Sequence, residues 1–352
     1  MIFASLTLWT LALAAPTPQT GASGLSPTAL FEQYARGEYA KVEESLTRLT
    51  DPRPFIKAIK RETQTWTRLP DDPVEAARRR LIVATVALEA VYRPKPPVPS
   101  AAATRSRATA PDEDIHQLIE WACDLVRQSP VPSPAERLWH WLTIALMEDD
   151  AWPGPLEVHV RHALDRFPAE PRFILARAIA AELRTAPDER GRSPRERDSY
   201  AVETLIARLQ AAEQIEAVRS EASLRHGYLL LRLNQPAGAL ARIGDPAAIQ
   251  DDPYLSHLAW LFRGRALEQL DRGPEAIGAY RRALAVLPHA QTAAVALAAA
   301  LAKHGNRAEA ASVALTAVTS EPAGVDPWRT YGSADARVSE RIRDALRREL
   351  RK

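Results

Sequence analysis

The fold is decided by residues 257–290, HLAWLFRGRALEQLDRGPEAIGAYRRALAVLPHA, because the 34 residues that follow repeat their pattern. Residues 291–324, QTAAVALAAALAKHGNRAEAASVALTAVTSEPAG, align with them without gaps. The identical pairs include Leu267 and Leu301, Ala276 and Ala310, Ala283 and Ala317, and Pro288 and Pro322. Gly264 falls on Ala298, so both units carry a small residue there. Two amphipathic helices, a tight turn and a closing proline account for the period, which predicts stacked helical hairpins.

These two units resemble the tetratricopeptide repeat (TPR), whose unit is a helix–turn–helix of this length. In the first unit, helix A carries an aromatic, a small and a large apolar residue, and helix B carries two small residues, an aromatic and a final proline. These positions are Trp260, Gly264, Leu267, Ala276, Ala283, Tyr280 and Pro288. Arg263 departs from the family, which prefers leucine there, and Leu297 restores it in the second unit. Ala294 and Ala314 replace both aromatics in that unit, so we expect thinner packing there.

The resemblance implies an all-α fold, a right-handed α-α superhelix of TPR-like helical hairpins (a solenoid). Upstream, Gly227, Leu230 and Ala239 repeat the small–large–small spacing, and residues 34–39 look like the turn of a degenerate unit. We therefore divide the chain into N-terminal helical hairpins (27–92), a Pro/Ala-rich linker or loop (93–111), degenerate TPR-like hairpins (112–252), two clear TPR units (257–324) and a C-terminal capping helix (335–352). Whether residues 27–212 continue one superhelix with the repeats stays open at this point.

The C-terminal capping helix is predicted from one apolar stripe, made of Val338, Ile342, Ala345, Leu346 and Leu350. Its other faces are charged, with arginine in excess. A solvated face that covers the last repeat is the first interpretation, and contact with an acidic partner or anionic headgroups is the alternative.

The first fifteen residues, MIFASLTLWTLALAA, contain no charged side chain. This apolar run is shorter than the roughly 20 residues that span a bilayer. Ala12-Leu13-Ala14 matches the small-residue pattern of a signal-peptidase site, so we predict a signal peptide at 1–15, cut after Ala14, and a flexible segment at 16–26. The predicted location is periplasmic or secreted. An uncleaved anchor or a misassigned start codon would be the alternatives.

Composition favours a folded chain and limits the partners. Hydrophobic residues make up 46% and charged residues 26% of the 352 residues, and the net charge is +2. Such a small net charge does not point to nucleic acid, and no later segment is apolar for long enough to span a membrane. Cys123 is the one cysteine, so the chain has no disulfide of its own. We predict a protein or peptide partner, no nucleic acid and no membrane span, and leave the oligomeric state undefined.

By resemblance to the family, the partner binds on the concave face that the first helix of each repeat lines. The groove-facing positions that the resemblance gives are Leu258, Leu261, Arg265, Glu268, Gln269, Thr292, Val295, Ala299 and Lys303. Leu261 and Arg265 stand where chaperone-binding members have a carboxylate clamp, so we do not predict that specificity. A mixed apolar and charged groove favours an amphipathic segment.

The sequence contains no glycine-rich phosphate loop, nucleophile elbow or HExxH motif. We therefore predict no catalytic residue, no cofactor, no metal and no enzyme activity. His159, His162 and Asp165 are spaced for one helix face, and a metal site there is the minor alternative to surface histidines. The aromatics of Trp139-His140-Trp141 and Trp152 favour packing between hairpins, and Cys123 reads as a small buried side chain.

Two other functions remain open from the sequence. One is an envelope enzyme built on a helical superhelix, such as a peptidoglycan-cleaving enzyme, although no catalytic domain is recognisable. The other is a permanent structural subunit of an envelope complex, which differs from a scaffold only in the lifetime of its contacts.

Overall fold

The computed structural model describes residues 26–49, 51–64, 72–92, 113–149, 152–185, 199–249, 252–319 and 336–352. Within these ranges every regular element is a helix, so the predicted all-α class is confirmed. The signal peptide (1–15), nearly all of the flexible segment (16–26) and the linker (93–111) were predicted on residues outside the described ranges. Among the helices of the described ranges, none is long and apolar enough to cross a bilayer.

Sixteen α-helices occupy the described ranges. In the N-terminal part they are α1 (Pro27–Ala35), α2 (Tyr39–Thr47), α3 (Arg53–Gln64), α4 (Pro73–Val91) and α5 (Glu113–Arg127). The middle of the chain forms α6 (Pro134–Asp149), α7 (Pro153–Arg166), α8 (Pro171–Arg184), α9 (Ser199–Glu213), α10 (Arg219–Arg232) and α11 (Pro236–Ile243). The last five are α12 (Pro253–Gln269), α13 (Gly273–Val286), α14 (Gln291–Lys303), α15 (Arg307–Thr319) and α16 (Ala336–Glu349).

Two helices begin at a capping aspartate. Asp72 and Asp252 accept hydrogen bonds from backbone N–H groups in the first turns of α4 and α12. Each is followed by a proline, which needs no hydrogen-bond partner for its nitrogen in the first helical turn. These acidic residues therefore act as helix caps.

One turn geometry recurs at four places in the chain. Gly37, Asn234, Asp271 and Gly305 each lie two residues after one helix and two before the next, and each has a left-handed φ between 56° and 84°. At each turn, the N–H after the left-handed residue donates to a carbonyl five residues back, as Arg272 does to Leu267. This is the Schellman ending, which satisfies carbonyls that the helix leaves open. The turns at Gly37 and Asn234 thus have the same geometry as the turns at Asp271 and Gly305.

From α6 to α15 every helix packs against the next helix in the chain. The hairpins are α6–α7, α8–α9, α10–α11, α12–α13 and α14–α15. The first helices of neighbouring hairpins also touch, as α6 does with α8 and α10 with α12. Short paired helices therefore bury their apolar faces against sequence neighbours, as helical repeats do.

Gly264 shows why the hairpin α12–α13 needs a small residue. A Cβ atom at this position would overlap the ring of Tyr280, which is fully buried on α13. The hydroxyl of Tyr280 donates a hydrogen bond to Glu268 on α12. The small residue Gly264 and the aromatic residue Tyr280 thus belong to one contact, which sets how closely α12 and α13 approach.

The C-terminal helix α16 does not cap the last repeat, which corrects our expectation. Its apolar residues Ile342, Leu346 and Leu350 belong to the core formed by α1 to α6, and its main neighbour is α6. Arg347 reaches carboxylates of Glu43 and Glu89 at 2.6 and 2.9 Å. Ile342, Leu346 and Leu350 of the predicted stripe are buried, but periodicity does not say which surface an apolar stripe covers.

Candidate functional site

The predicted groove residues divide into buried and accessible ones. Leu258, Leu261 and Thr292 are buried. Arg265 and Glu268 are half-buried, and Gln269 is exposed at the end of α12. On α14, Val295, Ala299 and Lys303 are all exposed, four residues apart and therefore on one face.

An ion pair joins the C-terminal ends of α12 and α14. Lys303 Nζ lies 3.9 Å from Asp271 Oδ1, which follows α12 in the chain. Both side chains are largely exposed, so this pair contributes little to stability. It does place a cation beside the apolar residues Val295 and Ala299.

A second group of polar residues lies in the middle of the chain, where three helices bring one side chain each. Cys123 comes from α5, His140 from α6 and His159 from α7, and all three are buried. Cys123 Sγ lies 2.9 Å from His159 Nδ1, and His159 Nε2 lies 3.2 Å from His140 Nδ1. One ligand atom from each residue can be chosen so that all three lie within 4.8 Å of one another.

The far side of His140 faces a fixed carboxylate. His140 Nε2 lies 3.9 Å from Glu136 Oε1 and has no hydrogen-bond partner. Arg166 donates two hydrogen bonds to the Glu136 carboxylate, from Nε at 2.6 Å and from Nη2 at 2.9 Å. The groups therefore form a row: thiol, imidazole, imidazole, carboxylate and guanidinium.

Burial favours the neutral forms of the thiol and the two imidazoles, so only the Glu136–Arg166 pair at the end of the row is charged. Burial lowers the pKa of His159 to about 3 and holds the pKa of His140 well below its usual value. Burial also raises the pKa of the Cys123 thiol, with a smaller contribution from Asp124. A buried thiol of this kind is a poor nucleophile at neutral pH, since the thiolate is the reactive form.

A small pocket opens beside this row. Cys123 and His159 line it together with Ile119, Glu120, Met147, Val158 and His162. Glu120 is exposed and His162 is half-buried, so the pocket has a polar edge beside the buried thiol and imidazole.

The sequence did not reveal the grouping. We weighed Cys123 as a buried side chain and His140 as part of an aromatic cluster, and we paired His159 with His162. In the structure His162 Nδ1 lies 3.1 Å from Arg127 Nη1, and Asp165 is exposed. The available signal was a polar residue among apolar neighbours on each of three helices, and only the packing of α5, α6 and α7 joins them.

A buried ion network crosses the first helices of three hairpins. Arg172 on α8 binds Glu221 on α10 at 2.6 Å and Glu148 on α6 at 3.4 Å. Arg225 on α10 binds Glu221 at 3.0 Å and Glu182 on α8 at 2.7 Å. Burial acts to raise the pKa of Glu221, but the two guanidiniums outweigh it and bring this pKa down to about 2. The alternating charges fix how α6, α8 and α10 stack.

The fold and these sites place the chain among all-α proteins built of successive helical hairpins. Comparison of the sequence with protein-family models gives no match, and comparison with curated proteins gives none either.

Proposed function

We propose that this chain is an exported scaffold or adaptor of the TPR type, and that it binds a partner protein or peptide along the first helices of its C-terminal repeats. The right-handed superhelix, the concave groove and the periplasmic or secreted location are parts of this proposal. The observation that carries it is the exposed face of α14, where Val295 and Ala299 stand beside Lys303.

The chemistry of this face favours an amphipathic segment with acidic residues. Val295 is 55% exposed on a helix that packs its other side against α15. Lys303, and Arg265 on the preceding first helix, supply positive charge at the edge of the apolar strip. An amphipathic partner helix would bury the valine and place its carboxylates near these cations.

The test is a pull-down from envelope extract with two matched double variants. Val295→Asp with Lys303→Glu changes the proposed face without touching a buried side chain. Val318→Asp with Arg307→Glu makes the same chemical change on α15, where Val318 is 82% exposed. Leu261 is not used, since it is buried and a charge there would disturb the core.

We expect the wild type and the α15 variant to retain the same specific proteins, and the α14 variant to lose them at least about tenfold, an energy of about 1.4 kcal/mol. Retention of every specific partner by the α14 variant would show that this face is not the binding surface. Quantitative mass spectrometry of the eluates gives the ratio.

A further inference from the structure

We propose that Cys123, His140 and His159 form a binding site for a thiophilic divalent metal ion of the Zn²⁺ type, with its remaining coordination position facing the pocket between α5 and α7. This site stands apart from the proposed binding face on α14. It rests on geometry that three helices create together.

The donor set suits such an ion. One thiolate and two imidazoles are the ligands that Zn²⁺ takes in proteins, and three protein ligands with an open position are typical of exchangeable sites. Cys123 and His159 line the pocket, whose edge carries the accessible side chains of Glu120 and His162. The pocket side therefore leaves a coordination position for water or a small ligand.

The distances need only a small adjustment. Ligand atoms around tetrahedral Zn²⁺, with bonds of about 2.0–2.3 Å, lie roughly 3.3–3.8 Å apart. The 2.9 Å contact uses Nδ1 of His159 and the 3.2 Å contact uses Nε2 of the same ring, so one ion keeps only one of these two contacts. One ligand atom from each residue can be chosen so that all three lie within 4.8 Å, and side-chain rotation must bring the most distant donor closer by up to about 1.5 Å.

The surroundings of His140 support the same role. A metal-binding histidine almost always donates its second N–H to a carboxylate or carbonyl, which fixes the tautomer and the ring. Binding through Nδ1 leaves the Nε2–H of His140 facing Glu136, 3.9 Å away and held by Arg166. This buried nitrogen has no hydrogen-bond partner in the structure, so Glu136 is the acceptor that a small ring rotation would bring within reach.

Binding is an exchange of protons for the ion. The thiol of Cys123 loses its proton to solvent and its sulfur donates an electron pair to the ion, while both imidazoles bind in their neutral form. One proton is released for each ion bound, with no oxidation or reduction.

The experiment titrates the reduced full-length protein with Co²⁺, which occupies zinc sites and absorbs light. We expect one ion per chain, a thiolate-to-cobalt charge-transfer band in the near ultraviolet, intense visible bands of a four-coordinate ion, and loss of all bands on addition of Zn²⁺. Because Cys123 is the one cysteine of the chain, the charge-transfer band reports this sulfur alone.

Three variants complete the test. Cys123→Ser should abolish the charge-transfer band, and Glu136→Gln, which removes a positioning residue, should weaken Co²⁺ binding about 10–100-fold while the band keeps its shape. His304→Gln changes an exposed histidine on another hairpin and should leave the titration unaltered. A thermal melt with and without Zn²⁺ should show stabilisation in the wild type and none in Cys123→Ser. Absence of the charge-transfer band in wild-type protein, or equal Zn²⁺ stabilisation of Cys123→Ser, overturns the proposal.

Discussion

Gly264 is the small residue that allows α12 and α13 to pack closely in the first unit. Its missing Cβ allows the ring of Tyr280 to lie against α12, and the phenol then reaches Glu268. Tyr280 is fully buried and therefore has nowhere to move.

We expect Gly264→Ala to lower the free energy of unfolding by about 1–3 kcal/mol, because the new methyl group overlaps a fixed ring. Gly278 provides the matched control, since a Cβ there meets nothing within 4 Å. Gly278→Ala lies in the same hairpin and should raise stability by about 0.5–1 kcal/mol through helix propensity. Urea denaturation followed by circular dichroism measures both, and equal changes of the same sign would contradict this packing.

Glu221 is the residue at which acid should weaken the stack of first helices. Its folded-state pKa of about 2 lies below the usual 4.5, because Arg172 and Arg225 face it. A lowered pKa means that the carboxylate contributes stability above the unfolded value and loses it as pH falls toward 2.

The free energy of unfolding should therefore fall between about pH 4.5 and 2 more steeply in the wild type than in Glu221→Gln. Glu216→Gln is the control, since Glu216 is exposed and pairs with its neighbour Arg219 on the surface. If Glu216→Gln and Glu221→Gln flatten the pH profile equally, the buried network is not the cause.

At the scale of helices, α16 is the element whose place differs most from expectation. Tyr39 donates its hydroxyl proton to the carbonyl of Arg347, and Arg78 donates to the carbonyl of Leu350. These bonds and the apolar stripe attach α16 to helices near the start of the chain. Tyr39 and Arg347, for example, are 308 residues apart in sequence.

Leu346→Ala should cost about 2–5 kcal/mol, because the side chain is fully buried in the N-terminal core. Leu315→Ala removes the same atoms from an exposed site on α15 and should change stability by less than about 0.5 kcal/mol. Thermal unfolding of both variants and of the wild type measures the two losses of stability. A loss confined to α12–α15, with the N-terminal core unaffected, would argue against the observed docking.

The sequence predicted two helices and a tight turn in each 34-residue unit, and the structure has α12 and α13 in the first unit and α14 and α15 in the second. The docking of α16 and the meeting of Cys123, His140 and His159 were not predicted. Both depend on which surfaces meet in space, and helical periodicity gives only which residues share a face.

For the whole molecule, stability should decrease toward the end of the repeat stack. Helix α15 has Ala310 as its buried residue, and its main contact is α14. In contrast, α12 packs against both α11 and α13. Stability in such stacks is close to a sum of nearest-neighbour contacts.

Amide hydrogen exchange should therefore be fastest in α15 and slowest in α12, where local opening must break two interfaces. Mass spectrometry of peptides covering 253–269 and 307–319 gives the comparison under native conditions. Equal protection of these two helices would mean that residues outside the described ranges, or a partner, cover the end of the stack.

The position of α16 also determines when the N-terminal core can be completed during translation. A ribosome makes residues 27–92 well before residues 336–352, yet both contribute to one core. Until residues 336–352 have been made, Tyr34 and Tyr39 lack their contact with Arg347, and the nascent chain must keep this incomplete surface from aggregating. Truncations or tags near residue 350 should therefore destabilise the N-terminal helices that pack against α16. A chaperone that binds the early segments would help folding more than one that binds the repeats.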